Sequence, residues 1–283
     1  MRAIALIAHT GKQQAVALAT KLLPVLQQAN IKVRMDKPTA QAVGHGELGV
    51  SSEHLALTDI AIVLGGDGTL LNAAHLFSAA GVPILGVNLG HLGFLTEIEP
   101  NELDWALPRL LNGEYHVDER MMIDIQVWQN GQCLEEFRAL NDAVISRSAF
   151  ARLVTLEALA GNSLLGTYVG DGLIIATPAG STAYSLSAGG PIVHPGISGI
   201  LVTPICPHTL GARAVVVRAE DTVRVLVKSQ VVPEELVLTI DGRPGMRLGS
   251  SHEIRVFRSE ISARLIRLSG RSFYDVLALR LRN

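Results

Sequence analysis

The sequence predicts an α/β domain followed by a β-rich domain of sandwich type. Over residues 1–115, short apolar runs alternate with stretches of helical spacing, which is typical of a parallel sheet with crossover helices. Beyond residue 115, short apolar runs follow one another between turn residues, which is typical of paired antiparallel sheets. The 283 residues are 48% hydrophobic but only 4% aromatic, so we expect an aliphatic core of sheets covered by helices.

The first domain is predicted to cover residues 1–115. Its apolar runs predict four strands, at residues 3–8, 31–35, 59–64 and 83–87. Helical spacing predicts helices over residues 12–29 and 70–80. Gly81 fits the C-cap of the second helix, because glycine adopts the left-handed conformation at low cost.

The β-rich domain is predicted to cover residues 116–271. A final segment, residues 272–283, is predicted to be a helix that packs on the first domain. The short strands of the β-rich domain are predicted at residues 123–128, 140–146, 153–159, 172–177, 214–217, 222–227, 235–240 and 253–257.

Composition excludes several classes of protein. The net charge of −2 and the pI of about 6.5 lack the basic signal of a nucleic-acid binder. No apolar run reaches the roughly 18 residues of a membrane helix, and the apolar start of the chain is too short for a secretion leader. The two cysteines, Cys133 and Cys206, are too few for a disulfide scaffold. We expect buried thiols in a cytoplasmic protein without nucleic-acid or membrane partners.

Arginine is concentrated near the end of the sequence. Residues 255–283 hold seven arginines against Glu260 and Asp275, a local excess of five positive charges. We expect these side chains to form a solvated face; an anionic ligand is the alternative.

Glycine-rich segments are the first candidates for chemistry. Gly11-Lys12 fails as a P-loop, because Leu6 and Gln13 stand where that motif needs glycine and a hydroxyl residue. Residues 44–49 spell G-x-G-x-x-G but do not directly follow a predicted strand, so a loop is favoured over a dinucleotide site. Residues 65–69, GGDGT, lie between a strand and a helix, where free N–H groups favour anions. This pattern predicts a phosphate site at Gly65, Gly66, Gly68 and Thr69.

Asp67 is difficult to explain as part of a phosphate site alone. A carboxylate there repels phosphate unless it accepts a hydroxyl proton or holds Mg²⁺. Aspartate is also a common turn and N-cap residue, so the structural explanation stays open at this point.

Two further segments combine polar side chains with apolar surroundings. Residues 170–191 contain a predicted strand that leads into small and hydroxylated residues. Among these, Thr182, Ser185 and Ser187 offer hydrogen bonds and Tyr184 offers a ring face. A packed Ala/Ser-rich helix is the alternative. The pair at residues 141–142, Asn-Asp, needs polar partners in its apolar strand; these are neighbouring groups of the protein or sugar hydroxyls.

Together these motifs resemble the bacterial NAD kinase family, in order over nearly the whole chain. GGDGT alone is shared with diacylglycerol and sphingosine kinases, whereas the segment that begins Gly170-Asp171-Gly172 is far more specific. The other matching segments are Asn88–Leu95, Asn141-Asp142, Pro207–Leu210 and Phe273–Leu277.

The resemblance implies phosphorylation of NAD⁺ at the 2′-hydroxyl of its adenosine ribose, giving NADP⁺ and ADP. ATP is the implied donor, with polyphosphate as the alternative, and a divalent cation such as Mg²⁺ is implied without assigned protein ligands. Asp67 would be the catalytic residue, as general base or orienting carboxylate. A homodimer or homotetramer is also implied, and a preference between NAD⁺ and NADH is left open.

The resemblance also implies a set of substrate-binding residues. Asn141 and Asp142 would bind NAD, Asp171 its nicotinamide end, and Gly68 the nucleotide. Arg152 is carried over only weakly, and Ala179, Arg243 and Val169 depart from the common pattern of the family. The residues implied around the adenosine are Thr182, Ala183, Tyr184, Ser185, Leu186 and Ser187.

Two rival functions remain at this point. A lipid kinase would share GGDGT but should need an apolar groove, and the hydroxyl-rich segment 170–191 argues against it. A nucleotide sensor without turnover would keep the pocket, and the intact Asp67 argues against that loss.

Overall fold

A computed structural model describes residues 2–90, 93–148, 152–209, 211–228 and 236–281. The chain forms two compact units, one of Met1–Arg120 with Ile261–Asn283 and one of Met121–Glu260. The sequence analysis places the corresponding boundaries at residues 115 and 271. The difference arises because two long strands each run through a boundary, and an apolar pattern does not tell which end of a strand packs on which core.

The first unit contains a parallel sheet in the order β3-β2-β1-β4-β5. From β1 the chain adds β2 and β3 on one side, and it then adds β4 and β5 on the other side, so the strand order reverses between β1 and β4. In α/β sheets, ligands bind in the crevice outside the carboxyl ends of the two strands at such a reversal. The end of a later strand adds to β5 through Leu265, which is paired with Ile84. The five strands are β1 (Ala3–Ala8), β2 (Lys32–Asp36), β3 (Gly49–Val50), β4 (Ile60–Gly65) and β5 (Ile84–Asn88).

Helices cover this sheet, and apolar side chains of both bury each other. Leu6 and Ile62 of the strands are fully buried against Leu22 and Leu26 of the first helix. The helix at residues 37–43 ends at Gly44, whose φ of 82° closes it with a left-handed cap, so the G-x-G-x-x-G segment begins as a helix terminus. The helices are α1 (Gln13–Gln28), α2 (Lys37–Val43), α3 (Ser52–Leu55), α4 (Asp67–Phe77), α5 (Leu103–Leu111), α6 (Tyr184–Ser187) in the second unit, and α7 (Phe273–Leu281) in the first.

The second unit is a sandwich of two mainly antiparallel sheets. Leu156, Val225 and Ile254 of one sheet share a single buried cluster with Ile145 and Leu238 of the other. The strands are β6 (His116–Gln129), β7 (Gln132–Ala139), β8 (Asp142–Arg147), β9 (Val154–Ala160), β10 (Ser163–Gly170), β11 (Gly172–Ala176), β12 (Gly199–Ile205), β13 (Val215–Arg218), β14 (Val223–Val227), β15 (Leu236–Ile240), β16 (Arg243–Leu248) and β17 (His252–Arg267). One sheet has the order β10-β9-β14-β17 with β6 and β7 attached, and the other β13-β12-β11-β8-β15-β16. The predicted fold class is confirmed.

Two expectations from composition are wrong. Both cysteines, Cys133 and Cys206, are exposed, because one lies on the polar strand β7 and the other at a turn with φ of 44°. The arginine-rich end is not uniformly solvated: Arg267 is only 13% exposed, because Glu97 and Asp118 from distant parts of the sequence pair with it. Among the described residues, no helix is both long enough and apolar enough to cross a membrane.

Candidate functional site

The GGDGT segment of the first unit forms the tight connection between β4 and α4. Gly65 ends the strand, Gly66 is the N-cap and Asp67 is the first residue of the helix. A side chain at Gly65 would overlap that of Thr69, whereas Gly68 faces open space. The turn therefore presents unobstructed backbone and a helix N-terminus, the arrangement that accepts anionic oxygens.

The Asp67 carboxylate is held by three backbone N–H groups of the segment after β5. Phe94 N donates to Oδ2 at 2.8 Å, and Leu95 N and Thr96 N both donate to Oδ1 at 3.2 Å. An ionised carboxylate has about four lone-pair positions. The described residues thus occupy three of these positions, which fixes the orientation of the carboxylate.

Two glycines allow this close approach. A side chain at Gly93 would overlap the Asp67 carboxylate, and one at Gly86 would meet Leu70 and Thr96. The chain doubles back here beside β5, since Glu97 N donates to Gly86 O at 2.9 Å. Gly93 follows two residues outside the described part of the chain, His91 and Leu92, which belong to the same sequence motif.

A cavity of about 360 Å³ lies beside this turn, within the first unit. It is formed by the carboxyl ends of β1 and β2 and by one face of α4, from Thr69 to Leu76. Asp36, the last residue of β2, lines it and also caps α2 by accepting a hydrogen bond from Thr39 N at 3.3 Å. The remaining lining residues are Ile7, Ala8, His9, Thr10, Pro38, Thr69, Asn72, Ala73 and Leu76.

The charge of Arg120 interacts with that of Asp67 in the first unit. Burial lowers the pKa of the Arg120 guanidinium, and the positive charge of Arg267 lowers it further, whereas Asp118 and Asp67 act in the opposite direction. Within the described residues, no three His, Cys, Asp or Glu side chains are grouped so that they could hold a metal ion.

In the second unit, the pair Asn141-Asp142 lies directly before and at the start of β8, held by the carboxylate of Asp241. The Asp241 carboxylate accepts hydrogen bonds from Leu140 N at 2.8 Å, Asn141 N at 2.7 Å and Asp142 N at 3.0 Å. Sequence reasoning did not assign Asp241 a role. In the sequence, Asp241 comes directly after the predicted strand at residues 235–240, and in the structure its φ of 49° suits aspartate.

Asp142 itself is only 4% exposed. Burial raises the pKa of its carboxyl group, and the negative charge of Asp241 raises it further, to about 7. Near neutral pH a large fraction of this side chain is therefore protonated and can donate a hydrogen bond as well as accept one.

The segment after β11 is packed directly on Asn141. Thr177 N donates to Asn141 O at 2.8 Å, and Thr177 Oγ1 donates to Leu140 O at 2.6 Å. A side chain at Gly180 would overlap the Asn141 carbonyl. The structure thus brings together, within the second unit, the pair at residues 141–142 and the start of the hydroxyl-rich segment.

The side chains implied around an adenosine differ in their availability. Ser185 is fully buried and hydrogen-bonded to Thr203 Oγ1 at 2.9 Å, and Thr182 Oγ1 donates to Ala179 O at 3.1 Å. Tyr184 is 46% exposed and Ser187 is also exposed, whereas Ala183 and Leu186 are half-buried. Ser185 therefore supports the segment from inside, and Tyr184 presents its ring on the surface.

Asp171 lies at the other end of the same strands. It precedes β11, whose last residue Ala176 is paired with Asp142, so within one chain Asp171 and Asp142 are roughly 17 Å apart at about 3.3 Å per residue. Its carboxylate accepts a hydrogen bond from Arg147 Nε at 2.6 Å. Arg152 is exposed and follows residues 149–151, which lie outside the described part of the chain; it comes two residues before Val154, which is paired with Gly170.

Comparison with known proteins decides the family. The model of the ATP-NAD kinase N-terminal domain matches residues 4–115, and that of the ATP-NAD kinase C-terminal domain matches residues 140–268. The chain belongs to the ATP-NAD kinase family. The expected family and enzyme class are thereby confirmed.

Relatives in this family are similar over their full length. The NAD kinase of Moorella thermoacetica is 44% identical over 282 residues, which cover 100% of this chain and 90% of the relative. The NAD kinase of Geobacter metallireducens is 44% identical over 285 residues, covering 100% and 99%.

Solved structures show the same fold at lower identity. Yeast NADH kinase complexed with NADH has a TM-score of 0.91 at 22% identity and covers 100% of this chain and 88% of its own. An NAD kinase from Archaeoglobus fulgidus in complex with ATP has a TM-score of 0.76 at 23% identity, covering 99% and 98%.

Proposed function

We propose that this ATP-NAD kinase family member transfers the γ-phosphoryl group of ATP to the 2′-hydroxyl of the adenosine ribose of NAD⁺. The products are NADP⁺ and ADP. The observation that carries the proposal is the Asp67 carboxylate, fixed by three backbone N–H groups at the first turn of α4, beside glycines that leave room for phosphate. Phosphoryl transfer depends mainly on such positioning and on charge neutralisation.

Asp67 would act on the acceptor hydroxyl. With three lone-pair positions occupied by N–H groups, the remaining one can accept the 2′-hydroxyl hydrogen and aim its oxygen at the γ-phosphorus. The O2′–P bond forms while the bond from phosphorus to the β,γ-bridging oxygen breaks, and the hydroxyl proton leaves through Asp67 as general base or orienting group.

The acceptor NAD⁺ would bind with its adenosine against the second unit's polar pair. Asn141 and a protonated Asp142 offer both donors and acceptors to a sugar or base, and the exposed Tyr184 ring offers a stacking face. Ser185 would act from behind, by holding the segment from Thr182 to Ser187. Asp171, at the far end of β11, would contact a different part of the dinucleotide, its nicotinamide end.

The donor would bind along the GGDGT turn of the first unit. Gly65, Gly66, Gly68 and Thr69 surround the helix N-terminus, where phosphates are favoured. The adjoining cavity at the ends of β1 and β2 is of a size for a nucleoside, and Asp36 in it could accept hydrogen bonds from ribose hydroxyls. Polyphosphate would use the turn alone.

The described residues do not form a cage for a divalent cation. The proposed Mg²⁺ would therefore arrive on the donor phosphates, which supply the oxygen ligands it prefers. By resemblance to the family, we further propose a cytoplasmic homodimer or homotetramer.

The deciding experiment measures NADP⁺ formation from NAD⁺, ATP and Mg²⁺ with an NADP-specific dehydrogenase. Asp67→Asn should lose at least about 100-fold in kcat, and NAD⁺ affinity should stay within about threefold by calorimetry. Near-normal turnover of the variant removes Asp67 from the catalytic role. If the wild-type protein forms no NADP⁺ with ATP, polyphosphate is tested as the donor and NADH as the acceptor. No product with any of these substrates, together with measurable NAD⁺ binding, indicates a nucleotide sensor.

A further inference from the structure

The segment that holds Asp67 is itself held from its opposite side. The N–H groups of residues 94–96 donate to the Asp67 carboxylate. On the opposite side, oxygen atoms of Leu95 and Glu97 accept hydrogen bonds from arginines near the end of the chain. Arg267 Nη1 donates to Leu95 O at 3.4 Å and to Glu97 Oε2 at 3.1 Å. Leu95 is thus bonded to Asp67 through its N–H and to Arg267 through its carbonyl.

Glu97 is the anchor on this side. It is 5% exposed, and its Oε1 accepts hydrogen bonds from Leu268 N at 2.8 Å and Ser269 N at 2.6 Å. Arg271 Nη1 donates to Glu97 O at 3.1 Å, and Arg271 also pairs with Glu102. A buried carboxylate with this many donors has one strongly preferred position.

Arg267 also connects the segment to the charges around Asp67. Its Nε donates a hydrogen bond to Asp118 Oδ2 at 3.1 Å, and the same oxygen accepts a hydrogen bond from Arg120 Nε at 2.9 Å. Arg120 is close enough to Asp67 for their charges to interact. The guanidinium fork of Arg267 is suited to join three acceptors in fixed directions, which a lysine ammonium is not.

We propose that Arg267 is a positioning residue for the proposed phosphoryl transfer, acting through Leu95 and Glu97 to fix the N–H groups that orient the Asp67 carboxylate. The inference rests on the proposed function. It assigns the arginine-rich end of the chain a role in the first unit's reaction chemistry. It predicts a loss of kcat at nearly constant KM, since Arg267 touches neither substrate subsite.

The test compares Arg267→Lys with Arg264→Lys. Arg264 lies on the same strand and donates to Gly81 O at 2.9 Å, and within the described part of the chain it forms no hydrogen bond to residues 93–97. Arg267→Lys should lower kcat about tenfold, because a small misplacement of reacting groups costs up to about 100-fold, while KM for NAD⁺ and ATP changes less than about twofold. Arg264→Lys should keep kcat within about twofold of wild type.

A double-mutant cycle separates positioning from general stability. In an Asp67→Asn background, Arg267→Lys should cost less than about twofold, because the group that it positions is already lost. A full tenfold loss in that background overturns the proposal, as does an unchanged kcat of the single variant. If Arg267→Lys does not fold, Arg271→Lys is used in the same cycle, with the same non-additivity expected. Lack of turnover in wild type would refute the proposed function instead, so the two failures are distinguishable.

Discussion

Gly93 lies so close to Asp67 that a side chain at position 93 would overlap the carboxylate. The same carboxylate receives the N–H groups of the three residues that follow Gly93. The glycine therefore allows a backbone segment to approach the aspartate closely and to bind one side of its carboxylate.

Gly93→Ala should abolish most turnover. The added methyl group must displace either the Asp67 carboxylate or the segment at residues 94–96, and we expect kcat to fall by at least about 100-fold. Steady-state NADP⁺ formation measures the loss. Gly90→Ala is the matched control near by in the sequence, because among the described residues its methyl group would meet only Lys12 Nζ, at 3.7 Å. Equal activity of the two variants would show that the Asp67 orientation does not matter.

Asp142 should make stability depend on pH. Its pKa is about 7 in the folded protein and near 3.8 when unfolded, so between these values the folded state binds more protons. The free energy of unfolding therefore falls as pH rises from about 4 to about 7 and then levels off. Asp142→Asn should remove this loss and be more stable than wild type at pH 8 by a few kcal/mol, at roughly 1.4 kcal/mol per pKa unit.

Denaturation midpoints at pH 5 and pH 8 measure this effect. The control is Asp221→Asn, because the Arg218 hydrogen bond and charge lower the pKa of Asp221, and the pH dependence of that variant above pH 5 should match wild type. An Asp142→Asn variant with the wild-type pH dependence would contradict the raised pKa of Asp142.

Asp241→Asn should weaken the binding of NAD⁺ more than the binding of ATP. An amide offers one acceptor oxygen where the carboxylate uses both, so at least one of the three N–H groups that fix residues 140–142 is left without its acceptor. We expect KM for NAD⁺ to rise about tenfold and KM for ATP to change less than about twofold. Asp124→Asn, which breaks an ion pair with Arg138 elsewhere in the second unit, is the control. A rise confined to KM for ATP would show that residues 141–142 do not bind NAD⁺ and that the pair was assigned to the wrong ligand.

The sequence predicted four of the five parallel strands of the first unit, but it did not predict β7, β10, β12 and β16 of the second unit or the long-range contacts. The strand–GGDGT–helix connection is local, so its glycines and the helix start could be inferred from spacing alone. Asp241 and Arg267 act on residues about 100 and 170 positions away, and no local pattern carries such a relation. Ser185 illustrates the same limit: its hydroxyl fits a ligand or a neighbour equally well, and only the structure shows Thr203 beside it.

Asp36 provides the sharpest test of the donor site. Its carboxylate lines the cavity at the ends of β1 and β2 and caps α2, so truncation to alanine would mix a loss of binding with a loss of about 1 kcal/mol of capping. Asp36→Ser keeps a capping oxygen but shortens the side chain. We expect KM for ATP to rise about tenfold, because ribose hydroxyls lose an acceptor, and KM for NAD⁺ to stay within about twofold. If polyphosphate also serves as donor, its KM should not change, since it has no ribose. An unchanged KM for ATP would show that the nucleoside of the donor does not bind in this cavity.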